Sequence, residues 1–319
     1  MKSDLKGARV VVTGGAGVIG RELLAILREA EGTVISLDKK PLPEDFNLTG
    51  ITHIVKDLAA DPIDEIIDFR PEIFFHLAAA FERSKESPEF WNVNWTDNTL
   101  MSHRAVDAAR RIDTLRAFVF ASSYLIYSPA LYMSSSLRHA PVYLREDAPA
   151  APRNITGASK YYTERELDFI REYLRPSLKT VYARIYRVYG RGSRDVISRW
   201  IRSALNSKPL DVYNIDNRFD YICARDVAEG LLRLAVAENA EGVINLGSGQ
   251  SHSVEDVLTA LASFIDIKIT GRARLEDYEN STADIGLLRN LTGWAPRTTL
   301  TEGIGRVIEY ERGLSQAAP

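Results

Sequence analysis

Thr13-Gly-Gly-Ala-Gly-Val-Ile-Gly20 sets glycines at 14, 17 and 20, directly after the β-branched run Arg9-Val-Val-Val-Thr13. The first glycine permits a tight turn out of a strand. The second lets backbone approach a pyrophosphate, and the third lets a helix pack close to the strand it follows. Phosphate oxygens would then sit where the free N–H groups and the dipole of a helix N-terminus favour negative charge. Downstream, Asp38 closes the run Thr33–Leu37, where a carboxylate can accept hydrogen bonds from an adenosine ribose and disfavours a 2′-phosphate. The pattern points to a dinucleotide, NAD in preference to NADP; Lys39 and Lys40 follow directly and soften that preference.

Such a turn works only between a strand and a helix, and the surrounding pattern supplies both. Arg9–Thr13 reads as a buried strand, Ile19–Ala30 as a helix with Leu23, Leu24, Ile26 and Leu27 at helical spacing, and Thr33–Leu37 as a second strand. The alternation continues with strands at Ile51–Val55, Ile73–Leu77, Ala117–Ala121 and Thr180–Ile185, and helices at Asp64–Phe69, Trp91–Arg111 and Ser159–Leu174. Consecutive βα units predict an α/β fold, a Rossmann-type doubly wound parallel sheet, with a smaller C-terminal substrate-binding subdomain. The expected division is 1–186 for the dinucleotide domain and 187–319 for the mainly substrate-binding part, with the chain crossing back to the sheet. Into the latter fall helices at Arg225–Val236 and Ser253–Phe264, the second with Ser253 as N-cap and Asp256 three residues on, and strands at Leu210–Tyr213 and Val243–Asn245. Residues 128–153, rich in Ser, Pro and Ala, read as one long irregular connection of the kind that forms lids, or as a tolerated surface insertion.

The bulk properties exclude several classes. A formal net charge of -3 gives no electrostatic reason to expect nucleic acid or an anionic membrane as partner. The single cysteine, Cys223, rules out an internal disulfide and a cysteine metal cluster. His53, His103, His139 and His252 are scattered without metal-ligand spacing, so no metal is expected. No signal peptide or bilayer-spanning run is visible, which makes the cytoplasm the expected location.

Taken in order, the motifs resemble those of the extended short-chain dehydrogenase/reductases, specifically the NAD-dependent nucleotide-sugar epimerases and dehydratases. Thr13–Gly20 matches their N-terminal signature, Lys56-Asp57-Leu58 the adenine segment, and His76-Leu77-Ala78-Ala79 the motif beside the cofactor. Asn94 and the run Ala121-Ser-Ser-Tyr-Leu-Ile-Tyr127 match the next two signposts. Tyr189-Gly190, Asp226-Val-Ala228, Asn245–Gly249 and Gly293-Trp-Ala-Pro296 match the later ones. The resemblance implies cofactor contacts from Gly14, Gly17, Val18, Ile19, Gly20, Asp38, Lys39, Asp57, Leu58, Leu77, Ala78, Ala79, Asn94, Lys160 and Tyr186. In that family a hydride leaves the sugar for NAD and returns, a tyrosine deprotonates the sugar hydroxyl, a lysine four residues later holds the nicotinamide ribose, and a serine or threonine, here Ser123, binds the same hydroxyl.

Lys160 is present in Gly157-Ala-Ser-Lys160, but the position four residues before it holds Thr156. Both lie on one helix face. A phenol with a reference pKa of about 10 can be tuned into a base, whereas an aliphatic hydroxyl cannot. Three alternatives follow: Tyr124, next to Ser123, supplies the base; a weaker base acts through water; or the protein binds NAD without the ordinary chemistry. The Asp-Glu pair that the dehydratases carry after the residue matching Ser123 is absent, since Tyr124 and Leu125 stand there. Epimerase-type redox is therefore favoured over dehydration. A decarboxylase, a keto-sugar reductase and a non-catalytic NAD or nucleotide-sugar binding protein remain alternatives.

On the substrate side the resemblance implies a nucleotide diphosphate sugar. It would be gripped by Arg218 within Asn217-Arg-Phe-Asp-Tyr-Ile222, by Arg274 with Asp277 nearby, by Val196 along the base, and by Phe81 and Ser123. Arg187 replaces the family's usual asparagine, adding a cation that could recruit a carboxylate or an extra phosphate. The family often forms homodimers through the helices that match Trp91–Arg111 and Ser159–Leu174.

Overall fold

The computed structural model describes residues 5–44, 46–81, 86–273 and 277–317. In chain order the strands are β1 (Arg9–Thr13), β2 (Thr33–Asp38), β3 (Ile51–Val55), β4 (Ile73–His76), β5 (Ala117–Ser123), β6 (Met133–Ser134), β7 (Tyr143–Leu144), β8 (Lys179–Ile185), β9 (Arg187–Tyr189), β10 (Leu210–Tyr213), β11 (Arg218–Cys223), β12 (Gly242–Leu246), β13 (Ser251–Ser253), β14 (Ile269–Ala273) and β15 (Tyr278–Ala283). Seven of them form a parallel sheet in the order β12-β8-β5-β4-β1-β2-β3. The strand order reverses between β1 and β4, and in such sheets ligands bind outside the strands' C-terminal ends at that switch point.

The central strands carry Val, Phe and Ile because both of their faces are covered. On one face Val10, Val12, Phe75 and Val119 pack with Leu23, Leu24 and Leu27 of the helix Val18–Glu29. On the other, Val11, Phe74, Phe118 and Phe120 pack with Met101, Ala105 and Val106 of the helix Met101–Arg111 and with Leu167 of the helix Ile155–Phe169. A separate core holds Ile197, Trp200, Ile201, Leu258, Leu261, Ile304 and Ile308 beneath a smaller sheet in which β11 lies between β13 and β15.

Three segments differ from their sequence-based expectations. The helix Ala224–Val236 and β12 belong to the main sheet: Val227, Leu231 and Leu232 join the same core as Leu23 and Leu27, and β12 extends the sheet beyond β8. A crossing back to the sheet is expected from the sequence, but local pattern does not say that these two segments make it. Residues 128–153 form a short helix, Pro129–Tyr132, followed by β6 and β7, both paired to β15. The connection is thus stitched to the second sheet by backbone hydrogen bonds and is not irregular throughout. The stretch read as Trp91–Arg111 starts as Phe90–Asn94, passes through a π-helical turn, Trp95–Leu100, and resumes as Met101–Arg111. A π turn of this kind often marks a functional site.

The candidate active site

At the switch point, Gly14 has φ +77°, and a Cβ there would lie 2.6 Å from Ala78 N. A Cβ on Gly20 would collide with the Gly14 carbonyl oxygen. The Gly17 N–H donates to the Gly14 oxygen at 3.1 Å, and Gly17 gives the helix Val18–Glu29 no side-chain cap. An uncapped, glycine-lined helix start is a cradle for anionic oxygens. Asp38 faces it: Oδ2 accepts from Ala16 N at 3.0 Å and Oδ1 from Lys40 N at 3.0 Å. Backbone that a Cβ would block, a free helix start and a ribose-reaching carboxylate together fit NAD.

Other cofactor-side candidates gather around this turn. Leu77 N donates to Thr13 O at 3.1 Å, fixing β4 to β1 just before Ala78 and Ala79. Asp57 Oδ1 accepts from Ala59 N at 2.9 Å, and Leu58 is buried in the core beside it. Lys39 Nζ lies 2.7 Å from Asp97 Oδ1 and 3.1 Å from Asp57 Oδ2. Two carboxylates thus claim the cation that the sequence alone suggested might welcome a 2′-phosphate. His76 is wholly buried, its ring nitrogens 2.7 Å from Thr13 Oγ1 and 3.0 Å from Ser102 Oγ. Burial first, and the charge of Lys160 second, push it down to about 3, so it is a neutral strut.

Lys160 and Ser123 meet toward the C-terminal end of β5, while Thr156, one turn earlier on the Lys160 helix, donates its hydroxyl to Glu86. Lys160 Nζ donates to Ala121 O at 2.6 Å and lies over the Phe120 ring. Burial pulls the ammonium down to about 8, against the opposing pull of Glu164. Ser123 Oγ accepts from Leu125 N at 3.2 Å and caps the turn Tyr124–Ile126. Asn94, buried by the π turn, accepts from Ser159 Oγ at 3.2 Å and from Asn98 Nδ2 at 2.7 Å. Asn98 also grips both backbone groups of Ala80, at 2.8 and 3.0 Å. Asn98 is absent from the sequence-derived site, although its i, i+4 spacing from Asn94 is the available signal. Beneath the site, Arg184 forms a two-pronged pair with Glu164 at 3.1 and 2.8 Å, and Ser122 donates to the same carboxylate at 2.5 Å. Removing one partner would leave a buried charge at a cost of about 3–5 kcal/mol.

Tyr124 does not sit as a free phenol. It is buried, stacked on Tyr186 at 5.0 Å between ring centres, and its hydroxyl donates to Glu279 Oε1 at 3.1 Å. Burial pushes the phenol far above its ordinary value; Arg187 opposes this and Glu279 adds to it. These surroundings oppose the proton-acceptor role expected of Tyr124. Tyr186, expected at the cofactor, is likewise buried within this aromatic stack.

Glu279 centres a charged cluster that the sequence left unrecognised. It lies on β15, accepts from Arg153 Nη1 at 2.6 Å and Arg187 Nη2 at 3.2 Å, and is almost wholly buried. Burial opposes its ionisation, but Arg187 and then Arg153 outweigh it and hold the carboxyl below the ordinary range. Arg187 also covers the Phe219 ring at 3.8 Å. Nothing in local pattern links residues so far apart in sequence; only the pairing of β15 with β6, β7 and β11 does.

The remaining substrate-side candidates are more dispersed. Arg218 donates to Ser251 Oγ at 3.2 Å and Ser251 O at 3.0 Å, bracing β13. Val196 opens the helix Val196–Leu205, capped by Asp195. Phe81 is 67% exposed, as a side chain awaiting a ligand can be. Asp277 is exposed and its carbonyl accepts from Asn214 Nδ2 at 2.9 Å. Arg274 lies outside the described residues. Among the described residues, no group of three or more His, Cys, Asp or Glu could hold a metal ion, and no helix is long and apolar enough to cross a membrane.

Comparison with known proteins agrees with this geometry. The chain is 28% identical to a UDP-glucose 4-epimerase of Mycolicibacterium smegmatis, over 97% of this chain and 100% of the relative. It superposes on a solved structure of MoeE5 in complex with UDP-glucose and NAD with a TM-score of 0.81 and 28% identity, covering 97% of this chain and 100% of the other. A Thermus thermophilus UDP-glucose 4-epimerase in complex with NAD gives a TM-score of 0.79 and 26% identity, with 96% and 99% covered. The model of the NAD dependent epimerase/dehydratase family matches residues 10–247, from the glycine-turn strand to just past β12. With the glycine cradle and the Lys160 helix both inside that span, the chain belongs to the NAD dependent epimerase/dehydratase family.

Proposed function

We propose that this protein is an NAD-dependent nucleotide-sugar epimerase-type enzyme, oxidising a sugar carbinol transiently and reducing it again on the other face. The observation that carries this reading is the convergence of Lys160 and Ser123 at the C-terminal end of β5, beside the glycine cradle at the sheet's switch point. Two of the relatives named above are UDP-glucose 4-epimerases and the third was solved with UDP-glucose bound, which favours a uridine diphosphate sugar as substrate.

In this reading the amides of Val18, Ile19 and Gly20 receive the pyrophosphate, Asp38 the adenosine ribose, and Asp57 and Leu58 border the adenine. When bound, NAD supplies the hydride acceptor that returns what it takes. Lys160 exchanges its hydrogen bond with Ala121 O for the nicotinamide ribose, and Ser123 orients the sugar hydroxyl. Dehydration fits less well, because elimination needs a carboxylic acid near the leaving hydroxyl. Tyr124 and Leu125 fill that place, and Glu279, the carboxylate bonded to Tyr124, is held ionised by two arginines.

The test is to add uridine, guanosine, cytidine and thymidine diphosphate sugars to the protein with NAD and follow the reduced-nicotinamide absorbance band. A small, substrate-dependent rise that does not accumulate is expected. Steady consumption of added NADH would indicate a keto-sugar reductase, and silence across the panel a binding protein.

A homodimer is part of the same proposal. Trp91 and Trp95, on the π-turn helix, and Phe169, Tyr173 and Leu174, at the end of the Lys160 helix, are all more than half exposed. Exposed aromatics on two packed helices suit an interface better than water.

A further inference from the structure

We propose that Glu86 is the proton acceptor of this site and that Thr156 positions it, the pair standing in for the tyrosine expected on the Lys160 helix. The proposal rests on the epimerase-type reading above. Oxidising a carbinol requires its hydroxyl proton to leave as the hydride does, so a base must stand within reach.

The other groups nearby are disqualified one by one. Thr156 alone is too weak a base. Tyr124 spends its hydroxyl on Glu279, inside an aromatic stack. His76 is held between Thr13 and Ser102 under the sheet. Glu279 is clamped by Arg153 and Arg187, and Glu164 by Arg184. Lys160 is a donor to Ala121 O.

Glu86 reaches in from the segment after β4, the strand next to β5. Its Oε1 accepts from Thr156 Oγ1 at 2.5 Å and from Thr156 N at 3.1 Å, and its Oε2 accepts from Ile155 N at 2.9 Å. A carboxylate oxygen can accept two hydrogen bonds. Among the described residues Oε1 is therefore filled, whereas Oε2 keeps one acceptor position, and the side chain is only partly buried. A threonine hydroxyl cannot act as the base that a phenol would be; the carboxylate it holds supplies the acceptor that threonine lacks. Helix capping alone does not account for the arrangement, since Asn154 already caps this helix through Gly157 N at 2.9 Å.

The step balances as follows. The sugar O–H bond breaks and its proton passes to Glu86 Oε2. The O–H electron pair becomes the second bond of the new carbonyl, and the carbinol C–H leaves with its pair to the oxidised nicotinamide. On return the carbonyl carbon takes the hydride and Glu86 gives the proton back to oxygen. Thr156 Oγ1 and the two amides hold the carboxylate throughout.

The test uses the full chain with NAD and compares wild type with Glu86→Gln, Thr156→Val and Glu86→Asp. Glutamine keeps one oxygen for Thr156 Oγ1 and N and gives up only the acceptor for Ile155 N, so UDP-glucose affinity by calorimetry should change by less than about twofold, while removing a general base should slow single-turnover formation of reduced nicotinamide about 100-fold or more. Thr156→Val removes the hydroxyl that holds the carboxylate and should lower that rate less than Glu86→Gln does, with UDP-glucose affinity little changed. Glu86→Asp should retain part of the rate. A Glu86→Gln protein that matches wild type in rate and merely melts earlier would overturn the proposal and leave Glu86 as a helix cap. A Thr156→Val protein that matches wild type in rate would overturn it even if Glu86→Gln fails to fold. A wild type that never forms reduced nicotinamide would defeat the epimerase-type reading and this proposal with it.

Discussion

Arg187 and Arg153 share one carboxylate, Glu279, so the cluster carries one positive charge more than it neutralises. Arg187 stands where the family has asparagine, beside the Tyr124 turn that follows Ser123, and its Nε is buried without a protein hydrogen-bond partner. A donor left unpaired there suits an anionic group on the sugar, as a uronic acid carries. The expected outcome is that Arg187→Ala weakens binding of UDP-glucuronic acid about tenfold or more relative to UDP-glucose, the worth of one charge-assisted hydrogen bond. Calorimetric titration of both ligands measures this; equal losses for both would remove the acidic-sugar role. At this scale the sequence exposes residues whose function depends on local spacing, Gly14, Asp38 and Lys160 among them. It conceals those whose function depends on a distant partner: Glu86 meets Thr156 and Glu279 meets Arg153 only after the sheets form.

Among the elements, the helices that carry the site also carry its exposed aromatic surface. The π turn Trp95–Leu100 brings Asn94 and Asn98 inward to hold Ala80 and the Lys160 helix, while Trp91 and Trp95 face out. Burying that face between two copies predicts a dimer in light scattering coupled to size exclusion, and Trp95→Asp with Tyr173→Asp should return a monomer, since buried unpaired charge opposes association. A wild-type monomer at micromolar concentration would contradict the interface. The strands of the sheet were legible because continuous β-branched runs mark strands buried on both faces. A return of the chain to that sheet was expected, but that Ala224–Leu246 makes it, and that residues 128–153 are stitched to β15, were not legible. Both are set by long-range packing of Val227, Leu231 and Leu232 and by backbone pairing with Tyr278–Ala283.

For the molecule as a whole, the parallel sheet holds the dinucleotide cradle on β1 and the proposed chemical groups on β5 and the Lys160 helix, while the second sheet brings Glu279, with Arg187 on it, to Tyr124 at the end of β5. The net charge of -3 is small, so recognition of an anionic ligand depends on local arginines and not on the overall field. The most direct measurement is to incubate the protein with a sub-stoichiometric amount of NAD and UDP-glucose and to follow the sugar by proton NMR while recording total NADH. The expected result is conversion to a stereoisomer of the same mass, many turnovers per NAD, with no net NADH formed. A product of different mass, or stoichiometric accumulation of NADH, would contradict transient oxidation as the function of this site.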